Sequence, residues 1–406
     1  MIGTNILYHD PAANSSRSYE DLLADLSRRT RWHKVCRSHD AYEIFVSVLH
    51  SVLHHREIIL CDAEWSIEER RAIGITASEE EVSEHVGALK ALNHETLRNA
   101  LFESDGHIVF LTSGTTGVPK RVSQSLHVLL TGVRFGEEYQ DDIWALAYHP
   151  AHIAGIHVFL QAFLNRNAIV RAYDSSADEF HRLLIDFNVT CVSATPTYLR
   201  TRLLAGQRYV GVKRVTTGGE KHDPTLSARI ATAFPHAKYR NVYSTTETGS
   251  LFASDSDVFT VPVARSAEIR IEKNLLLVRK NDAAGSGDVW VCTGDRVDVL
   301  NESPLRFRIL GRDDDMVNVG GFKVNPSEVE EALRSIDGIN DAVVYSVRNS
   351  VLGYILAADI LVNDDALNEH VIHAALSGRL AEYKIPRVIT AVAELSVSRT
   401  GKRLRS

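Results

Sequence analysis

The sequence has no long apolar run. Nothing in its 406 residues approaches the ~20 consecutive apolar positions a membrane span requires. Met1 to Glu20 holds no apolar core flanked by basic residues, so no signal peptide is expected either. Cysteine is scarce: Cys36, Cys61, Cys191 and Cys292 lie far apart and form no paired motif. That excludes a disulfide framework and a cysteine metal knuckle, and it fits reduced thiols in a cytoplasm. Positive charge is not in excess. The net charge of −7 argues against a nucleic-acid partner held through phosphate contacts, but a local basic site could still hold a nucleotide. Repeats and low-complexity segments are absent as well. Hydrophobic residues at 44% and charged residues at 24% describe a soluble globular chain, and the length calls for two or three domains.

Histidine is present, but not in a metal-binding pattern. His149, His152 and His157 are spaced by three and five, which does not stack them on one helix face, and no cysteine or carboxylate joins them. His50, His54 and His55 read as exposed helix residues.

The richest segment is Leu111-Thr112-Ser113-Gly114-Thr115-Thr116-Gly117-Val118-Pro119-Lys120. It follows His107 to Leu111, a short apolar run that reads as a buried strand, and precedes Gln124 to Phe135, which reads as a helix. Glycines let backbone N–H groups approach an anion, hydroxyls add donors, and Lys120 adds a full charge. A following helix could add its N-terminal dipole. The segment is not a Walker A loop, because Gly114 and Gly117 are too close and Pro119 precedes the lysine. It is expected to hold the phosphates of a nucleoside triphosphate. The rival is a polar surface turn.

The loop and four later segments, in the same order, resemble the adenylate-forming superfamily of acyl- and aryl-CoA synthetases, peptide-synthetase adenylation domains and luciferases. Val242 to Gly249 resembles the motif around adenine, the α-phosphate and magnesium. Thr293-Gly294-Asp295 resembles the ribose segment, Gly311 to Asp315 the hinge between domains, and Ser398 to Lys402 the C-terminal motif with the catalytic lysine. The resemblance runs from about Ser104 to the end. Only about a hundred residues precede the phosphate loop. The chain is thus similar to compact acyl-CoA synthetases such as the o-succinylbenzoate–CoA ligases, and surface that longer members cover could be exposed or used in a homodimer.

The resemblance implies an ATP- and magnesium-dependent ligase. It would make an acyl-adenylate, releasing pyrophosphate, and then pass the acyl group to a thiol, coenzyme A before a carrier protein. Transfer to a nitrogen nucleophile is a rival, and a catalytically silent nucleotide-binding protein is another. It assigns Lys402, Glu247, Thr246 and His152 to catalysis, with Glu247 as the magnesium ligand. Nucleotide contacts fall to Thr112, Ser113, Gly114, Thr115, Thr116, Gly117, Lys120, Gly218, Gly219, Glu220, Tyr243, Ser244, Thr245, Asp295 and Arg312. Tyr243 would stack on adenine or, alternatively, be a core tyrosine. Ser244 stands where the family usually has glycine, so either its backbone angle suits any residue or the loop is remodelled. His152, Ala194, Thr195 and Gly219 would meet the acyl group. Asp314 would be the hinge, and Gly320, Gly321, Phe322 and Lys323 would line the thiol tunnel. Amino-acid-activating members carry an aspartate near His152. None lies in Tyr148 to His157, so an aryl or medium acyl acid without an ammonium is expected.

The fold expected is α/β. A large part over 1–311 would have parallel-rich sheets with helices on both faces, because apolar runs at Ile143–Ala147, Ala168–Ala172, Val189–Ser193 and Val212–Thr216 alternate with helical patterns. The first hundred residues read as mostly helical, with Ser18 capping Tyr19–Arg29 and Asp40 capping Ala41–His54. A small mobile α+β part would follow over 312–406. It would hold a helix from Asn325-Pro326 to Arg334, strands at Ala342–Val347, Tyr354–Leu361 and Val388–Ala393, and a helix over Ala366–Ala381.

Overall fold

The computed structural model describes residues 5–90, 92–112, 120–281, 288–319, 322–349, 353–362 and 367–395. Alternating strands and helices between residues 143 and 245 build the sheet that positions the site. Its order is Gly249–Ser254, Lys238–Thr245, Arg214–Gly218, Cys191–Ala194, Ile143–Leu146, Ala168–Arg171, Ile6–Asp10 and Ser15–Ser18. All inner pairings are parallel, and the two outermost pairings are antiparallel. The successive parallel strands between residues 143 and 245 need crossovers, supplied by the helices Ile153–Leu164, Ala177–Asp186, Pro196–Arg202 and Pro224–Ala233. The α/β expectation is borne out.

Strand alternation divides this sheet between two cores. Trp144, Leu146 and Tyr148 face one core with the helices Ile153–Leu164 and Ala41–Leu53, while Ala145, Val192, Ala194 and Val215 face the other with Phe180, Leu199 and Ile230. An antiparallel five-stranded sheet follows, running Val258–Thr260, Leu305–Arg312, Asp288–Glu302, Leu275–Asn281 and Ile269–Glu272. Its core includes Phe252, Phe259 and Phe307.

The C-terminal unit has its own core. The strands Ile339–Asn349, Gly353–Val362 and Val388–Ala391 form one sheet, covered by the helices Pro326–Arg334 and Glu369–Ser377. Asn325 caps the first helix through Ser327 N, with Pro326 in its first turn, as the Asn-Pro pair predicts. The second helix is shorter than the apolar pattern suggests.

Three expectations are corrected. The front of the chain holds strands as well as helices: Val35–Arg37 and Glu57–Cys61 join His107–Thr112 and Lys120–Ser125 in a four-stranded sheet, and the two capped helices are present. The phosphate loop does not run into a helix. His107–Thr112 and Lys120–Ser125 pair antiparallel, with Thr112 opposite Lys120, and the helix Leu126–Leu130 begins only after Ser125. The loop thus closes a hairpin, and the dipole argument from a following helix does not apply. Finally, His50 is buried, at 2% exposure, and bonds the Arg29 carbonyl through Nε2 at 3.2 Å.

Candidate active site

The C-terminal ends of the parallel strands, the five-stranded sheet and the helix Pro326–Arg334 enclose a cleft of about 2290 Å³. Ligands bind at this end of open α/β sheets because strand ends and helix N-termini leave polar backbone there. His152, Thr195, Gly218 and Gly219 line the cleft together with Tyr243 to Glu247, Asp295, Arg312 and Lys120. Residues dispersed over nearly two hundred positions thus share one cavity.

The Thr246–Glu247–Thr248 turn joins two antiparallel strands. Thr245 Oγ1 accepts from Thr248 N at 3.1 Å, Gly249 turns the chain at φ +71°, and the buried Gln124 donates Nε2–H to the Thr246 carbonyl at 2.5 Å. Gln124 ties this turn to the hairpin that bears Lys120. Glu247 is exposed to the cleft and makes no ion pair among the described residues. A carboxylate exposed to the cleft and without an ion-pair partner among the described residues is of the kind magnesium takes, one or two carboxylates plus phosphate oxygens. Lys120 is likewise exposed to the cleft and unpaired among the described residues. Ser244 lies within its strand, beside a register shift, and has no left-handed backbone angle.

Asp295 is held from three sides. Its side chain is only 10% exposed. Tyr243 donates its hydroxyl to Oδ2 at 2.5 Å, Asp295 N donates to Thr293 Oγ1 at 3.1 Å, and Arg312 Nε stands 4.0 Å from Oδ1 on the paired strand. Gly294, at φ +77°, leaves room for the Arg312 guanidinium: a Cβ there would meet Nη2 at 3.1 Å. Burial first, and then the Asp295 charge, push the Tyr243 hydroxyl pKa up, so it remains a donor. The Tyr243 ring packs on Phe252 and Phe259, so the residue is part of the edge of a core cluster and also lines the cleft.

Another side of the cleft begins at His152, which ends the loop before the helix Ile153–Leu164 and packs against His149 at 5.4 Å. Burial lowers the His149 pKa. Thr195 caps the helix Pro196–Arg202 through Tyr198 N at 3.0 Å. Glu220 lines the cleft but also accepts from Thr197 N at 2.8 Å. Gly218 is needed for packing, since a Cβ would meet the Val242 carbonyl at 2.9 Å, and Gly219 takes φ +82°. Ala194 is fully buried in the second core and does not line the cleft, because it points to the opposite sheet face.

Asp314 sits exposed in a turn after the strand Leu305–Arg312, beside Asp313, which pairs with Arg296 at 2.7 Å. Phe322 and Lys323 are not in the cleft wall: Phe322 is 55% exposed and stacks on Tyr383 at 4.4 Å. Thr112 is described only in its backbone. Ser113, Gly114, Thr115, Thr116, Gly117, Gly320, Gly321 and Lys402 lie outside the described residues. Sequence reading missed Gln124 and the four charged residues Arg200, Asp223, Arg334 and Asp341. None sits in a motif, and only folding brings them together.

The model of the AMP-binding enzyme family matches residues 34–291, and that of the AMP-binding enzyme C-terminal domain matches residues 328–402. The chain belongs to the AMP-binding enzyme family. It is 25% identical over 400 residues to a 2-succinylbenzoate–CoA ligase of Bacillus licheniformis, covering 87% of this chain and 83% of the relative. A 4-chlorobenzoate–CoA ligase of a Pseudomonas species is 27% identical over 348 residues, covering 73% and 64%. Among solved structures, a benzoate CoA ligase from Burkholderia xenovorans superimposes with a TM-score of 0.74 at 16% identity, covering 98% of this chain and 95% of that one. The o-succinylbenzoate CoA synthetase of Bacillus subtilis, solved with its acyl-adenylate intermediate, gives 0.71 at 19% identity, covering 99% and 94%. At these identities the structures share the fold. No described helix is long and apolar enough to cross a membrane.

Proposed function

We propose that the chain is an ATP-dependent acid–thiol ligase that joins a carboxylic acid to AMP, releases pyrophosphate and passes the acyl group to coenzyme A. The observation that carries this reading is the single cleft shared by Lys120, the Thr245–Glu247 turn, the Asp295–Arg312 pair and His152. Two anions must meet in adenylation, so a site that concentrates donors and cations is required. Lys120 and the hydroxyl-rich loop hold the β- and γ-phosphates. Thr246 donates to the α-phosphate, and Glu247 would hold magnesium, which supplies charge neutralisation when bound. Asp295 accepts from the ribose hydroxyls, and Arg312 donates on the same side. Thr112, Gly218, Gly219 and Glu220 border the nucleotide, and Tyr243 stacks on adenine. His152 lies beside the reacting carboxylate, with Thr195 and Gly219 along the acyl group. Lys402 reaches the carboxylate and α-phosphate from the C-terminal tail. A lysine suits that task because it is a compact charge on a long stem.

The units divide at 311/312, and Asp314 is the hinge. Gly320 to Lys323 serve the thiol after rotation. The substrate is an aryl or medium acyl acid without an ammonium, because 148–157 offers no carboxylate to pair with one. The named relatives, ligases of succinylbenzoate and chlorobenzoate, support an aryl acid. Four free cysteines support a cytoplasmic location. A pyrophosphate-release screen over aryl, aliphatic, dicarboxylic and amino acids tests the reading, with coenzyme A or a phosphopantetheinyl carrier as acceptor. AMP and an acyl thioester are expected. ADP as product, or a response confined to amino acids, would refute it. Native mass determination decides between monomer and homodimer.

A further inference from the structure

Beside the cleft, whose wall includes Arg200 and Arg334, the large and small units meet through four charged side chains. Arg200 lies in the helix Pro196–Arg202, and Asp223 caps the helix Pro224–Ala233; both belong to the large unit. Arg334 ends the helix Pro326–Arg334, and Asp341 lies in the strand Ile339–Asn349; both belong to the small unit. Within the large unit, Arg200 Nη2 stands 2.8 Å from Asp223 Oδ2, and within the small unit Arg334 Nη1 stands 3.7 Å from Asp341 Oδ1. Across the interface, Arg200 Nη1 meets Asp341 Oδ2 at 3.3 Å, and Arg334 Nε meets Asp223 Oδ2 at 3.3 Å. Signs alternate around the square, and all four side chains are at most 9% exposed.

We propose that this square is a reversible latch that positions the small unit for adenylation and must open before acyl transfer. The proposal rests on the ligase reading given above. The arrangement is suited to opening. Each unit brings one arginine and one aspartate already paired with each other, so separation strips neither unit of charge balance. An apolar joint would instead expose greasy surface at every turnover, and a lone cross-unit ion pair would leave two uncompensated charges. Asp223 also divides its work: Oδ1 caps its helix through Thr225 N and Leu226 N, while Oδ2 faces the latch. The cap stays in place when the latch opens. Burial alone would raise the Asp223 pKa, but the guanidinium groups of Arg334 and Arg200 outweigh it and hold the carboxyl well below the usual range. Asp223 therefore remains ionised at neutral pH.

Position gives the latch its direction. It holds the helix Pro326–Arg334 against the cleft, where Ser327, Glu330, Glu331 and Arg334 form part of the wall. Lys221 and Glu331 add a more exposed cross-unit pair at 2.8 Å. In this arrangement Phe322 and Lys323 lie outside the cleft wall, so the latched state does not present these two residues to the cleft. Arg334 and Asp341 are positioning residues, acting through the placement of the unit that carries Lys402.

The test is the double variant Arg334→Met/Asp341→Leu, which removes both cross-unit pairs yet leaves Arg200 with Asp223. Buried ion pairs replaced together by apolar residues are commonly tolerated. Single-turnover assays then measure adenylate formation without coenzyme A and thioester formation from preformed adenylate. Adenylate formation is expected to slow about tenfold, with transfer unchanged or faster, whereas the conservative Arg334→Lys alone is expected to stay close to wild type. Equal effects on both half-reactions would overturn the latch. A second readout needs no activity: energy transfer between dyes on cysteines placed at the exposed Asp186 and His370, in a Cys292→Ser background. The double variant is expected to shift the separation of the units in nucleotide-free protein, and an unchanged distribution would also overturn the latch. A wild-type protein that releases no pyrophosphate with any acid would refute the ligase reading, leaving the dye measurement to decide the latch.

Discussion

Replacing Asp295 by asparagine tests the ribose assignment most directly, because the shape is retained and only the charge is lost. In the structure one carboxylate oxygen already accepts from Tyr243 at 2.5 Å, and the other faces Arg312 at 4.0 Å. A carboxylate has lone pairs left for two ribose hydroxyls. An amide has one acceptor oxygen, and its NH₂ group must face either the tyrosine or the ribose. Hydrogen bonds to a charged group contribute about 1.5–3 kcal/mol each, against about 0.5–1.5 for neutral pairs. Weakening one ribose bond and losing the other should cost about 2–3 kcal/mol of ATP binding, a rise of roughly 30- to 150-fold in the KM for ATP. The assay is pyrophosphate release at saturating acid with ATP varied. Tyr243→Phe is the control: it removes the same internal hydrogen bond but leaves the charged acceptor. It should lower stability by about 1 kcal/mol while changing the KM for ATP by less than about fivefold. If Asp295→Asn stays within about threefold of wild type, or if Tyr243→Phe matches it, the carboxylate does not bind the ribose.

Lys402→Ala should abolish most adenylate formation, by on the order of 3 kcal/mol in the barrier, with an unchanged melting curve; near wild-type pyrophosphate release would remove Lys402 from catalysis. Glu247→Gln should eliminate magnesium-dependent activity in a protein that still melts cooperatively, because an exposed turn residue leaves no cavity. Activity close to wild type at saturating magnesium would show that Glu247 is not the ligand. Stability should also fall with acid through His157, in the cleft wall, whose pKa burial lowers to about 4. The folded value lies below the unfolded one, so the unfolded state binds the extra proton. Stability is then full above about pH 6.5 and declines toward pH 4, by about 2 kcal/mol at pH 5. Urea unfolding at pH 7.5 and pH 5 should show a smaller decline in His157→Gln, and equal declines would place the titration elsewhere.

The sequence by itself determined the family and the order of the site segments, since phosphate, ribose and magnesium each demand particular side chains close together along the chain. It determined the parallel sheet too, because buried strands alternating with amphipathic helices leave little other topology. It also determined the helix starts at Ser18, Asp40 and Asn325, where a side-chain oxygen caps a local N–H. Only the tertiary structure decided the rest. Lys120–Ser125 carries a lysine, an arginine and hydroxyls with little apolar content, and pairing with His107–Thr112 makes it a strand rather than the start of a helix. The side of the sheet each residue faces took Ala194 into the core and left Thr195 at the cleft, one position away. The register of Asp295 against Arg312 and the reach of Tyr243 across 52 positions set the surroundings of the Asp295 carboxylate. The square of Arg200, Asp223, Arg334 and Asp341 has no local signature at all. Its energy comes from pairing across an interface between two separately packed cores, and that proximity exists only once both have folded.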